Sequence, residues 1–323
     1  MKTALIDLLV CAAPGCAGKL AARADADVLV CRRCDAQYPV LAGVPIVVPA
    51  PATYLAGYHD AVLATLADAG LATRSAVALV RAFAEAGAAG GAPEPLAFGD
   101  DWVASEDDRL APATDDATIA SWLAAAPDTR AHLAGLIPPR AKTIVELGCG
   151  ASGLARRLAA DGTRQVVAAD LSLRAVLRSI GPRRRANLSG VVLDAEALPL
   201  RARSVDALVA ANLIDLLDRP DRFLVAVAEA LSARGATILA TPAPALGTGD
   251  DATLQHALIA AGLTLDDYQR GVPWLRGHSP RHYQLYFTDV AVALLSARGR
   301  VRPARGRGRS PGRARANARR PSS

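Results

Sequence analysis

The stretch VELGCGASG, from Val145 to Gly153, constrains the fold of this chain more than any other. Three glycines, Gly148, Gly150 and Gly153, follow an apolar segment and precede a segment with helical periodicity. Glycine tolerates the backbone angles of a sharp turn and lets the main chain approach a ligand closely. The stretch therefore predicts a strand, a ligand-binding turn and a helix in direct succession.

The glycines alone leave two ligands open, a dinucleotide and S-adenosylmethionine (SAM). Gly148, Gly150 and Gly153 match the G-x-G-x-x-G pattern of dinucleotide-binding proteins. Asp170, predicted at the end of the second strand, suits the ribose hydroxyls of either ligand. Glu146 favours SAM, because a carboxylate repels a pyrophosphate and attracts an ammonium group. Capping the next helix or pairing with an arginine is the alternative role for Glu146.

From Thr143 onward, predicted strands alternate with predicted helices, which indicates a parallel sheet covered by helices on both faces. The third strand runs into Asp194-Ala195, then Leu198-Pro199-Leu200, then Val205-Asp206. This run resembles class I SAM-dependent methyltransferases of the type-11 group, with Leu200 and Val205 in place of the usual aromatic residues. The resemblance covers about residues 112–297 and implies an α/β, Rossmann-like fold with a mostly parallel seven-stranded sheet.

The resemblance also implies a cofactor site. Asp194 would accept a hydrogen bond from the adenine amino group, the backbone N–H of Ala195 would meet the ring, and Asn212 would lie beside the methionine end. Ser152 departs from the family pattern, which has glycine at that position. The predicted SAM-binding residues are Glu146, Gly148, Gly150, Ser152, Asp170, Asp194, Ala195 and Asn212.

Four of the five cysteines lie near the N-terminus, as Cys11-x4-Cys16 and Cys31-x2-Cys34. Two close pairs separated by the length of one hairpin are what a tetrahedral four-cysteine zinc site needs. The following Tyr38-Pro39-Val40 and Gly43-Val44-Pro45-Ile46 resemble the zinc ribbon of Trm-type activator proteins, which are partners or fused modules of methyltransferases. We therefore predict a structural zinc ion held by these four cysteines, with buried thiols and no metal as the alternative.

Charge divides the chain unevenly. Its net charge is +6, but ten arginines and no acids follow residue 297, and subtracting those ten leaves −4 for everything before them. The tail, residues 298–323, is predicted to be disordered. It either binds nucleic-acid phosphates through counterion release or only aids solubility.

These features predict four regions: a Trm-type zinc ribbon at 1–52, a helical connector and loop at 53–111, a methyltransferase domain at 112–297 and the tail. No apolar run approaches the roughly 18 residues needed to span a bilayer. We therefore expect a cytoplasmic protein without a membrane partner.

Methyl transfer needs proximity, alignment of the acceptor and removal of any proton the acceptor must lose. Polar groups after the fourth strand and near the chain's last strands are the candidates for these tasks. Those last strands, at about 264–277 and 282–295, are predicted to be joined by a connection long enough to be functional. The catalytic candidates are Asn212, Asp215, His278 and His282.

The favoured acceptor is a small metabolite or an amino-acid-derived nucleophile, with the ribbon as a structural appendage. The alternatives are an RNA- or protein-modifying enzyme, whose ribbon and tail hold a macromolecule, and a catalytically silent SAM-fold scaffold. Leu213-Ile214 follows Asn212 where base-amine methyltransferases have a Pro-Pro-aromatic run, and Cys149 lies inside the cofactor loop. These features argue against N6-adenine and C5-cytosine methylation.

Overall fold

The computed structural model describes residues 2–23, 27–88, 121, 128–150, 153–243, 253–279 and 282–296, with only the backbone at 88, 276–279 and 282–283. Its strands are β1 (Leu20–Ala22), β2 (Val28–Cys31), β3 (Gln37–Leu41), β4 (Val44–Val47), β5 (Thr143–Leu147), β6 (Gln165–Asp170), β7 (Leu188–Leu193), β8 (Val205–Ala211), β9 (Leu231–Thr241), β10 (Leu263–Ser279) and β11 (His282–Leu295). Its helices are α1 (Thr3–Leu8), α2 (Pro51–Gly57), α3 (His59–Asp68), α4 (Arg74–Ala88), α5 (Thr129–Leu136), α6 (Leu154–Leu158), α7 (Leu173–Ile180), α8 (Pro220–Ala230) and α9 (Leu254–Ala260). The predicted tail, 298–323, lies outside the described residues.

The predicted α/β fold is confirmed by strands β5 to β11. They pair in the order β7-β6-β5-β8-β9-β11-β10. The first five of these run parallel, whereas β11 is antiparallel to both β9 and β10. The glycine loop after β5 lies at the centre of this sheet, where the strand order reverses direction. Ligands of open α/β sheets bind at such a point.

The ribbon does not merely precede this sheet, as the sequence suggested, but extends it. β4 pairs parallel with β7, with Ile46 opposite Val192 and Val47 opposite Leu193. All eleven described strands therefore form one sheet, ending in β4-β3-β2-β1. β4 is buried along its whole length, so its apolar residues cover an edge of β7 that would otherwise be open. The predicted boundary at residue 52 falls inside α2, which begins at Pro51.

The N-terminal helix α1 covers one face of the parallel sheet. Between β7 and β8 the chain forms only the short 3-10 turn Ala195–Ala197, so no crossover helix lies there. Leu5 and Leu8 of α1 instead pack into the apolar cluster that holds the inner residues of β5 and β6. Val10 N donates to Pro199 O at 2.9 Å and fixes the segment against the β7–β8 connection.

Helices from the connector and from the parallel half cover the opposite face. Leu55, Leu66 and Val80 of α2, α3 and α4 share an apolar cluster with Leu133 of α5 and Val176 of α7. The helical connector predicted from residue 53 thus contains three described helices. None of the described helices has both the length and the apolar character needed to cross a bilayer.

The predicted functional connection between the last two strands is wrong. β10 and β11 stay paired until Ser279 lies opposite His282, so only residues 280–281 separate them. β11 pairs with β9 only from Asp289 to Leu294, and the rest of the hairpin extends past β9. Irregularities in register, as between Gln269 and Val272, let the long strands bend while they remain paired. His278, predicted in the connection, therefore lies on β10, and only two residues separate the paired strands.

Candidate functional site

The four N-terminal cysteines come together beside the carboxyl end of β2. Their Sγ atoms all lie within 4.8 Å of one another. Cys11 Sγ lies 3.5 Å from Cys34 Sγ, and Cys16 Sγ lies 3.6 Å from Cys31 Sγ. These separations are too long for disulfides, and they approach the ~3.8 Å that separates sulfurs in a tetrahedron around zinc. The predicted clustering is confirmed, and the donor set fits a tetrahedral zinc ion.

Local backbone geometry builds this cluster. Ala17 and Asp35, each one residue after the second cysteine of a pair, have left-handed φ values of 50° and 58°. Arg33 N donates to Cys31 Sγ at 3.3 Å. Burial acts to raise the pKa of Cys31, but hydrogen bonds from backbone N–H groups and neighbouring thiols outweigh burial and lower this pKa to about 7. For Cys11, burial dominates and raises the pKa to about 12. A metal ion would hold both groups as thiolates at neutral pH.

Two neighbours fix the cysteines in place: Gly18, which the sequence analysis missed, and Tyr38. A Cβ at Gly18 would lie 2.6 Å from Cys31 Sγ, so any side chain there displaces a candidate ligand. The Tyr38 hydroxyl accepts a hydrogen bond from Ala13 N at 3.0 Å and lies 3.0 Å from Cys11 Sγ. The sequence places Gly18 between the pairs but gives no sign that it faces Cys31, because that contact depends on how β1 and β2 pair.

The glycine loop follows β5 as predicted. Gly148, Gly150 and Gly153 have φ values of 62°, 46° and 73°, which other residues rarely adopt. A Cβ at Gly148 would lie 3.1 Å from the Leu213 side chain, so the loop packs closely against the end of β8. Ser152, another predicted cofactor residue, lies outside the described residues.

Glu146 is buried behind the loop, with 3% of its surface exposed. Its Oε2 accepts a hydrogen bond at 2.8 Å from the backbone N of Ala155 in α6, so the alternative capping role is present. Burial, together with the charges of Asp170 and Glu146, raises the pKa of the buried Cys149 thiol well above its ordinary value. A buried carboxylate thus places negative charge behind the loop, while a contact between Glu146 and an ammonium group stays a prediction.

Asp170 joins the glycine loop to the turn after β6. Its Oδ2 accepts from Gly150 N at 3.0 Å, and its Oδ1 accepts from Ser172 N at 2.9 Å. A contact between Asp170 and ribose hydroxyls stays a prediction.

The turn after Asp170 is also held by the N-terminal part of the chain. Tyr54 of α2 donates from its hydroxyl to the carbonyl oxygen of Leu171 at 2.8 Å. Its ring centroid lies 5.1 Å from that of Tyr58. The sequence analysis missed Tyr54, because helical periodicity identifies the buried face of α2 but not the turn that this face contacts.

Asp194 follows β7 at the same edge of the sheet. Its Oδ1 accepts from Glu196 N at 2.8 Å, so the side chain caps the 3-10 turn that begins with Ala195. Because β7 lies next to β6, Asp194 and Asp170 end adjacent strands. The placement of both acids beside one ligand stays a prediction.

Asn212 follows β8 in a left-handed conformation, with φ of 53°. Its Nδ2 donates to the Tyr286 hydroxyl of β11 at 2.9 Å, and the Tyr286 ring stacks on Trp274 with centroids 6.3 Å apart. Its buried Oδ1 has no hydrogen-bond partner among the described residues. Asn212 therefore combines an uncommon backbone conformation with an unsatisfied buried acceptor, a combination typical of functional sites. The sequence did not reveal Tyr286, because its contact depends on the register of the hairpin.

The other catalytic candidates lie at different distances from Asn212. Asp215 lies at the same edge, and its Oδ1 accepts from the Thr241 hydroxyl at 3.1 Å. His278 and His282 are each four residues along the hairpin from the Trp274–Tyr286 pair, or about 13 Å at 3.3 Å per residue. Their side chains lie outside what the structure describes, so a role as general base stays a prediction for both.

Comparison with known proteins gives one family match. Residues 145–239, from β5 to β9, match a family model described as a methyltransferase domain, which supports a methyltransferase function for this segment and confirms the resemblance found in the sequence. No curated protein matches the chain.

The solved structures to which this chain is similar include the following three. One is a complex between the Haloferax volcanii Trm112 methyltransferase activator and a protein assigned as a methyltransferase, with 18% identity, coverage of 52% of this chain and 88% of the other, and a TM-score of 0.44. Another is the cyclase SpnF, with 17% identity, coverage of 57% and 85%, and a TM-score of 0.44. A third is an S-adenosylmethionine-dependent methyltransferase from Mesorhizobium loti, with 16% identity, coverage of 51% and 96%, and a TM-score of 0.42.

Proposed function

We propose that the protein is a SAM-dependent methyltransferase with a small-molecule acceptor, and that its four N-terminal cysteines hold a structural zinc ion. The observation that carries the choice of cofactor is the strand order around the glycine loop. A dinucleotide-binding sheet has the order 3-2-1-4-5-6. Here the antiparallel β11 lies between β9 and β10. This difference supports SAM over a nicotinamide dinucleotide.

The carboxyl edge of the sheet offers a group for each part of SAM. Asp194 suits the adenine amino group, Asp170 the ribose hydroxyls, and the buried charge of Glu146 the cationic methionine end. When bound, SAM supplies a methyl group activated by a sulfonium. The chain's own task is then to hold cofactor and acceptor in line, and such alignment can lower the barrier by about 7–11 kcal/mol.

Asn212 is the residue we assign to the boundary between cofactor and acceptor. Its unpaired Oδ1 calls for a donor, because a buried carbonyl oxygen without one costs about 1–3 kcal/mol. An N–H or O–H group of either ligand supplies that donor. Tyr286 holds the amide by its other end, so the oxygen keeps a fixed direction.

The acceptor we propose is compact, because Asn212 is half-buried beneath the hairpin that carries Trp274 and Tyr286. Asp215 is the described carboxylate of this edge best placed to take a proton from an acceptor. Its Oδ1 accepts from the Thr241 hydroxyl, and we assign the proton transfer to its Oδ2.

Methyl transfer from tritiated SAM to cell extract, separated into small molecules, RNA and protein, tests this proposal. We expect label in the small-molecule fraction, and its loss with Asn212→Ala in a protein that melts at the wild-type temperature. Label confined to RNA or protein contradicts the proposed acceptor. Absence of label in all three fractions contradicts methyl transfer.

The zinc proposal has a separate test. We expect about one zinc ion per chain in protein purified without added metal, measured by mass spectrometry. Cys31→Ser should lower both the zinc content and the melting temperature. Metal-free protein whose stability is unaffected by Cys31→Ser contradicts the site.

A further inference from the structure

The amino ends of the parallel strands carry a concentration of positive charge. Three loops lead into β7, β5 and β8: residues 183–185, 140–142 and 201–203. They contain seven exposed cations and no acid: Arg140, Lys142, Arg183, Arg184, Arg185, Arg201 and Arg203. We call these seven residues the amino-edge patch. The first 297 residues together have a net charge of −4, so the patch is opposite in sign to that part of the chain as a whole.

The topology brings the three loops together. In the order β7-β6-β5-β8, the outer two strands are three spacings apart, or about 14 Å at 4.8 Å per spacing. Arg140 Nη2 donates to the backbone oxygen of Arg234, which adds another exposed guanidinium beside the patch. The three loops therefore lie along one edge of the sheet, over a width similar to that of a nucleic-acid duplex groove.

The acids nearest this surface include Asp161 and Asp206, whose charges interact with Lys142 and Arg140 and offset part of its positive charge. Asp161, before β6, pairs with Arg164 at 3.9 Å. The carboxylate of Asp206 is held by Lys142 N, Thr143 N and the Ser232 hydroxyl, at 3.0, 3.1 and 2.9 Å.

Like charges also crowd one another at the patch. The ammonium of Lys2 donates to the backbone oxygen of Arg185 at 2.7 Å and lies near the guanidinium of Arg184. Burial, and then the charge of Arg184, lowers the pKa of Lys2. Self-repulsion of this kind costs stability and is relieved when an anionic partner binds.

The composition of the patch selects the partner. Six of its seven cations are arginines, whose planar guanidinium binds phosphate oxygens in a bidentate manner. The exposed large apolar side chains of the described chain are Val225, Ile259, Leu285 and Phe287, and none lies in these loops. A membrane-binding surface would combine cations with apolar residues that enter the lipid. The loops also lack aromatic residues, so they offer nothing on which bases could stack.

We infer that the amino-edge patch binds the phosphate backbone of nucleic acid without regard to sequence. Backbone contacts of this kind set position and affinity, not sequence preference. The patch lies at the edge opposite to the glycine loop, so a nucleic acid held there leaves the carboxyl edge open to a methyl acceptor. This inference goes beyond the proposed function and does not depend on SAM.

Binding of a fluorescently labelled 20-base-pair RNA duplex to the full chain, followed over a range of salt concentrations, tests the inference. The test variant carries Arg183→Glu, Arg185→Glu and Arg201→Glu. The matched control carries Arg81→Glu, Arg222→Glu and Arg270→Glu, which are exposed arginines of other elements. Both variants keep the arginine-rich tail and have the same net charge, so a difference between them isolates the patch.

We expect the patch variant to bind at least about 30-fold more weakly than wild type at 100 mM salt, with a salt slope smaller by about 3. The control should stay within about 3-fold of wild type. A DNA duplex measured alongside shows whether the 2′-hydroxyl contributes. If the triple-glutamate variant melts early, the corresponding glutamine triple replaces it, with an expected loss of about 10-fold.

Equal binding by patch variant and control overturns the inference. So does preferential binding of wild type to phosphatidylserine vesicles over either duplex, with loss in the patch variant, because the partner is then a membrane surface. Methyltransferase activity enters neither readout, so failure here is distinct from failure of the proposed function.

Discussion

The substitution Tyr54→Phe removes one hydroxyl that lies outside the glycine loop, and we expect it to weaken SAM binding. The hydroxyl donates to Leu171 O at 2.8 Å, and Tyr54 is only 7% exposed, so water replaces the bond poorly. Loss of such a bond costs about 1 kcal/mol net. Leu171 follows Asp170, the acid assigned to the ribose. Without this bond, SAM must order the turn when it binds. The binding free energy of SAM then becomes less favourable by about 1 kcal/mol, which corresponds to a roughly 5-fold higher Kd.

Calorimetric titration with SAM measures this effect, and thermal melting controls for the fold. The matched control is Tyr268→Phe, which removes a hydroxyl bonded to Asp289 Oδ2 at 2.6 Å. Tyr268 lies on β10, five strand spacings or about 24 Å from β6. Both variants should melt about 2–4 °C lower than wild type, but only Tyr54→Phe should raise the Kd for SAM. An equal Kd in both variants refutes the coupling between α2 and the cofactor edge.

Three further predictions concern the cysteine cluster, the glycine loop and the carboxylate of Asp206. Gly18→Ala should lower the zinc content more than 10-fold, because the added methyl group displaces Cys31 Sγ. Gly135→Ala, which adds a methyl group in open space on α5, should leave the zinc content unchanged. Metal analysis of both purified variants tests this prediction. Glu146→Ala should abolish SAM binding in calorimetry while Ser152→Gly retains it, and the reverse order contradicts the placement of the loop. Burial acts to raise the pKa of Asp206, but hydrogen bonds from backbone N–H groups outweigh burial and lower this pKa. The ionised Asp206 carboxylate therefore stabilises the folded protein above about pH 4, and this stabilisation is lost on acidification. Urea unfolding should show Asp206→Asn less stable than wild type at pH 7 and a smaller difference at pH 3, and a constant difference speaks against this assignment.

The sequence predicted the parts of the fold that depend on local pattern. The apolar run before Gly148 specified β5 and its turn, and the alternation of strands and helices from Thr143 specified the parallel sheet. The spacing of the cysteines predicted their clustering around a common point. In each case, residues near one another in sequence decide the structure.

Features that depend on pairing between distant segments were not predictable in this way. The Val44–Val47 segment reads as a buried strand, but nothing in it specifies β7 as its partner. The hairpin was mistaken for two strands with a functional connection, because polar residues such as Arg276 and His278 interrupt its apolar pattern. Tyr54 and Tyr286 were missed for the same physical reason, since their hydrogen bonds span 117 and 74 residues of sequence.

The central claim is that the glycine loop binds SAM and not a dinucleotide. Calorimetric titration of the full chain with SAM, with its demethylated product and with NAD tests this claim most directly. We predict that SAM and its product bind at one site per chain and that NAD gives no heat of binding. Tight binding of NAD without binding of SAM would contradict the account.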